Sequence, residues 1–152
     1  MSTRVERPAR LRALRALLAV TLVVLTAQGW FGDTVNIFIA PPNGTARPPA
    51  TLAGFVHAVG SLQPPVFLVW HTVEGLGLVA LAAAVLILSL VSRVSWAARI
   101  FALLGLFFMV VAALGGYLFV MSGFSDGPSS AQMGGGFIGA YATEFLTLYH
   151  TR

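Results

Sequence analysis

The chain has no cysteine, and all nine of its basic residues are arginine. Without cysteine there are no disulfides, no thiolate nucleophile and no cysteine-ligated metal or iron–sulfur cluster. Charge is nearly as scarce. Only 9% of the 152 residues are charged and 57% are hydrophobic, whereas a soluble domain carries about 25% charged residues. An ordinary soluble fold is therefore excluded, and the composition belongs to the membrane class. No serine has a visible base and orienting partner, and no phosphate loop is present, so the sequence nominates no catalytic residue.

Long apolar runs take the place of charge. Four are separable: about Leu14 to Trp30, Val66 to Val91, Ile100 to Met121 and about Met133 to Tyr149. A bilayer span needs about 20 apolar residues, and in lipid the backbone must satisfy its own hydrogen bonds, so each run is expected to be a helix. The expectation is an all-α, single-domain integral membrane four-helix bundle covering residues 1–152, with a long outer loop at 31–65. Arg4, Arg7, Arg10, Arg12, Arg15, Arg93, Arg99 and Arg152 fall on one side of this arrangement and only Arg47 on the other. The positive-inside rule then puts both termini in the cytoplasm. The same placement explains the net charge of +4 by topology and argues against nucleic-acid binding. The partner implied is the lipid bilayer of a prokaryotic plasma membrane, with other membrane subunits or a homo-oligomer as further possibilities.

The first run has a competing reading. Its basic start, apolar centre and Ala27-Gln28-Gly29 resemble a secretory signal with a small-residue cleavage site. In the outer loop, Ala40-Pro41-Pro42-Asn43-Gly44 and Arg47-Pro48-Pro49 favour turns. Thr51 to Leu62 suits a short interfacial helix, and Pro64-Pro65 suit the first turn of the second span.

The chemistry-bearing residues are few. His71 and Glu74 lie one turn apart inside the second run, where ionisable groups are costly and often functional. They share a face with Gly75, Leu78, Ala82, Val85 and Ser89, which is expected to point inward. Glu144 on the fourth run lies near Tyr141 and Thr147. At about 1.5 Å per residue, Glu74 and Glu144 sit at similar depth, about 13 to 17 Å from the outer edge. An inward cluster of His71, Glu74, Tyr141 and Glu144 could bind a ligand or share a proton, while the bland alternative is a set of polar packing contacts.

No metal site is expected, because a single His-x-x-Glu lacks the second copy that di-iron bundles use. Haem b through His71 is an open alternative. His150 lies at the opposite end of the bundle from His71, and His57 reaches it only if the outer loop folds back. Gly134-x-Gly136-x-x-Gly139 matches a dinucleotide pattern but follows no strand. The same stretch supplies Gly135-x-x-x-Gly139, a close-packing motif with Ala112-x-x-x-Gly116 as its counterpart.

Several local patterns carry a resemblance: Val35-Asn36-Ile37-Phe38 before a proline-rich loop, Trp70-His71 before Gly75-Leu76-Gly77-Leu78, Gly115-Gly116-Tyr117-Leu118-Phe119, and Ser130 with Met133. Together they resemble a family of small four-span prokaryotic membrane proteins with no assigned activity. The resemblance implies four spans and a recurring histidine at the position of His71. Glu74 and Glu144 lie outside its pattern.

The function expected is a non-enzymatic multi-pass protein, an accessory subunit or a binder of a lipophilic ligand, with an inner polar pocket at His71 and Glu74. The alternatives are a haem-b electron carrier using His71 and a proton- or cation-coupled transporter using Glu74 and Glu144.

Overall fold

A computed structural model describes residues 3–38, 53, 65–122 and 124–151. The side chains of 3–7, 33–38, 65 and 67 fall outside that description, as do His57, Arg47, the proline turns and most of the expected 51–62 helix. The described chain is all-helical: α1 (Thr3–Phe38), α2 (Pro65–Val91), α3 (Trp96–Met121) and α4 (Gly127–His150). Three helices carry a stretch long and apolar enough to cross a membrane, at Pro8–Gly32, Leu68–Val91 and Trp96–Met121. At 24 residues α4 is long enough as well, but its glycines, hydroxyls and Glu144 make it less apolar than the other three.

Local chemistry sets the helix ends. Ser95 caps α3, its hydroxyl accepting from the Ala98 N–H at 3.2 Å, which spends one of the donors a helix start leaves unpaired. Only residues 92–95 separate α2 from α3, and Arg93 takes a positive φ of 52° to make that turn. Asp126 caps α4 through the Ser129 N–H at 3.3 Å and also accepts from the Ser129 hydroxyl. With Pro128 in the first turn, α4 begins six residues earlier than the apolar run suggests. Helix α1 likewise extends beyond its apolar core and runs unbroken through Ala27-Gln28-Gly29.

Side-chain distribution is inverted relative to a soluble protein. Val23, Leu76, Ile87, Phe107, Ile138 and Phe145 are all more than half exposed, forming the apolar exterior that lipid would cover. Trp30, Trp70 and Trp96 are exposed near helix ends, where amphipathic rings suit the membrane interface. Two interior layers draw on all four helices. One joins Leu25, Leu78, Ala82, Met109 and Ala140. The other joins Leu14, Leu18, Val85 and Ala102, with Leu148 packed on it. On α2 the inward face is the expected one, with Leu78, Ala82, Val85 and Ser89 buried.

The tightest contact is between α3 and α4. A Cβ added at Gly136 would lie 2.6 Å from the Ala112 nitrogen, and one at Gly115 would lie 2.6 Å from the Met133 nitrogen. Neither position tolerates a side chain without moving backbone. Ala112 is the counterpart the sequence suggests, but the contacting glycine is Gly136 and not Gly135, whose Cβ would meet nothing within 4 Å. The stripe on α4 follows Ser129, Gly136, Ala140, Thr143 and Thr147, all buried, which is a 3–4 repeat and not a strict four-residue spacing. Gly136→Ala should therefore destabilise the protein by about 1–3 kcal/mol, the usual cost of overpacking, while Gly135→Ala should leave stability unchanged or slightly raised. Thermal unfolding in detergent, followed by tryptophan fluorescence, measures both.

Candidate functional site

His71, Glu74, Tyr141 and Glu144 do not share one centre, and the described residues put His71, Tyr141 and Glu144 in three places. The first lies between α1 and α2. The Gln28 side-chain amide donates to the His71 carbonyl at 3.0 Å and lies 3.5 Å from the ring Nε2. Two glycines make this approach possible. A Cβ at Gly75 would lie 3.2 Å from Gln28 Nε2, and one at Gly32 would lie 3.1 Å from His71 Cε1. The second amide hydrogen can bond Nε2 only when that ring nitrogen accepts, which would leave the ring proton on Nδ1. Glu74 follows one turn later and is half-buried.

This recess is incompletely satisfied. Gln28 Oε1, His71 Nδ1 and Glu74 Oε2 are buried and have no hydrogen-bond partner. Each such group costs about 1–3 kcal/mol when left unpaired. A guest that both donates and accepts would recover part of that cost.

Tyr141 lies elsewhere. It lines a shallow groove of about 440 Å³ with Thr26, Gly29, Trp30, Phe137 and Ile138, between α1 and α4. On α1, Gln28 and Gly32 face His71, whereas a Cβ added at Gly29 would lie 2.9 Å from the Phe137 ring. The groove and the recess are thus on different sides of α1.

Glu144 occupies the third place. It is completely buried and lies against Gly105 of α3, where an added Cβ would be 2.7 Å from its Oε1. Neither carboxyl oxygen has a partner. The expected cluster of His71, Glu74, Tyr141 and Glu144 is therefore corrected. His71 contacts α1, Tyr141 faces the groove and Glu144 enters the α3–α4 seam. Depth alone suggested a common centre, but residues on α2 and α4 at equal depth still point to different neighbours. Among the described residues, no group of three histidine, aspartate or glutamate side chains is placed to hold a metal ion.

The remaining histidine of the described chain has a packing role. The His150 ring stacks on Phe101 at 5.5 Å, and its carbonyl accepts from the Ser95 hydroxyl at 3.2 Å. Sequence reasoning missed Gln28. A primary amide inside an apolar run was the available signal, but the small residues beside it point equally to a cleavage site.

Comparison with family models, with curated proteins and with solved structures finds no match.

Gln28→Leu removes the donor to His71 and should lower stability by about 0.5–1.5 kcal/mol, the range measured for hydrogen bonds between membrane helices. Gly77→Ala, whose Cβ would meet nothing, is the silent control in the same thermal assay.

Proposed function

We propose that this protein is a prokaryotic plasma-membrane four-helix bundle that binds a small lipophilic molecule by its polar head in the recess of Gln28, His71 and Glu74. It acts as a binder or accessory subunit and not as an enzyme. The observation that carries the reading is that Gln28 Oε1 and His71 Nδ1 are buried without partners, as is Glu74 Oε2 one helical turn further on. Natural membrane interiors seldom leave such groups unpaired, and those that persist commonly mark ligand or ion sites. The apolar exterior of the helices supplies the environment in which a lipophilic molecule would arrive.

Two contacts support the topology. Arg15 Nη2 donates to the Thr151 carbonyl at 2.6 Å, and Ser95 reaches the His150 carbonyl. The basic start of α1, the α2–α3 turn with Arg93, and the end of α4 thus gather at one end of the molecule. That is the arginine-rich end, which the positive-inside rule assigns to the cytoplasm. The bundle then has four spans, both termini inside, and the His71 recess in its outer half.

Two measurements check this. In intact cells, single cysteines introduced into the cysteine-free chain at Ser2 and Thr151 should resist a membrane-impermeant maleimide, while one at Asn43 should react. Reaction at either end and protection of Asn43 would reverse the topology. For binding, native mass spectrometry of the full-length protein should show a co-purified lipophilic molecule. Its occupancy should fall at least tenfold in His71→Ala and in Glu74→Gln. An empty wild-type protein after reconstitution in lipid extract, or equal occupancy in a folded Glu74→Gln variant, would remove the ligand reading.

A further inference from the structure

Glu144 is not used by the recess and its environment is more demanding. Its side chain is fully buried, packed between two helices whose backbones nearly touch at Gly115 and Gly136. The notch that admits it is made by Gly105, since even a methyl group there would collide with Oε1. Both carboxyl oxygens lack a partner.

Groups that could compensate a charge are occupied or distant. The Thr143 hydroxyl donates to the Gly139 and Ala140 carbonyls, and Thr147 donates to the Thr143 carbonyl. On α1, which also packs on α4, Arg15 is committed to the Thr151 carbonyl. Arg99 is the cation on α3, and its buried Nε has no partner. It precedes Gly105 by six residues, about 9 Å of helix rise. On α4 itself, Asp126 caps the far end, His150 stacks on Phe101, and Tyr141 turns to the groove. A hard cation would require about six oxygen ligands, and the seam offers one carboxyl group. An uncompensated carboxylate buried in an apolar interior is among the most expensive arrangements in a protein. The occupant that fits the space and needs no further ligand is a proton.

We propose that Glu144, seated in the Gly105 notch, is an intramembrane proton-binding site. Its carboxyl carries a proton at neutral pH and exchanges it with solvent. The inference is independent of the His71 recess and stands or falls separately from it.

The chain's only glutamates are Glu6, Glu74 and Glu144, which makes the test selective. Full-length protein carrying carboxyl-¹³C glutamate, reconstituted in phosphatidylcholine vesicles, is examined by infrared difference spectroscopy at neutral pH. An isotope-shifted C=O band of a neutral acid is expected in the wild type and in Glu74→Gln, and it should vanish in Glu144→Gln. In D2O the band should shift as the proton exchanges. Gly105→Ala should move its frequency by displacing the carboxyl. Absence of any neutral-acid band in the wild type overturns the proposal, and so does its survival in Glu144→Gln. A band that never shifts after prolonged exposure to D2O also overturns it, because the acid would then be a permanent packing element.

Discussion

The backbone contact between α3 and α4 is the constraint on which the rest of the structure depends. Helices immersed in an apolar solvent gain little from burying apolar side chains, so association rests on close packing and polar contacts. Here Gly115 and Gly136 remove the side chains that would separate the axes, and Ala112 presents backbone to backbone. The long, apolar α3 gives the less apolar α4 a partner along most of its length. Once those two are joined, Met109 and Ala140 present a common surface to Leu25 of α1 and Leu78 and Ala82 of α2. The tie from Arg15 to Thr151 closes the arrangement at one end.

Small residues do a second job in this fold, because Gln28, His71 and Glu144 each sit opposite a glycine. Gly32 makes room for the His71 ring, Gly75 for the Gln28 amide, and Gly105 for the Glu144 carboxyl. At Gly105 an added methyl group would collide with the carboxyl, while at Gly32 and Gly75 it would come within 3.1 and 3.2 Å of the His71 ring and the Gln28 amide. The two resulting sites differ in kind. The recess holds a mixture of donors and acceptors on two helices and suits a hydrogen-bonding guest. The seam holds one carboxyl group with no complement and suits a proton.

Much of the architecture was legible in composition and periodicity. The apolar runs located the helices, and the face of α2 through Leu78, Ala82, Val85 and Ser89 was correctly read as inward. Helix ends were less legible where polar caps extend an apolar run, as Asp126 does for α4. The packing motif was right in Ala112 and in Gly139, whose Cβ would strike the Phe108 ring, but Gly136 takes the place expected of Gly135, because Gly134, Gly135 and Gly136 are adjacent and only helix rotation distinguishes them. The site was half legible. His71, Glu74 and Glu144 stand out as ionisable groups in apolar runs, yet depth along a helix says nothing about the direction a side chain points. Gln28 escaped notice because a single amide is a weak signal until its partner across the interface is known.

Solid-state NMR of the unaltered chain in lipid tests the α3–α4 contact most directly. With ¹⁵N-alanine and ¹³Cα-glycine labels, the Ala112 nitrogen should couple to the Gly136 Cα, because a Cβ added at Gly136 would lie 2.6 Å from that nitrogen. The account predicts a strong Ala112–Gly136 cross-peak and a weaker one or none from Ala112 to Gly135. Equal cross-peaks to the two glycines, or a stronger one to Gly135, would contradict it.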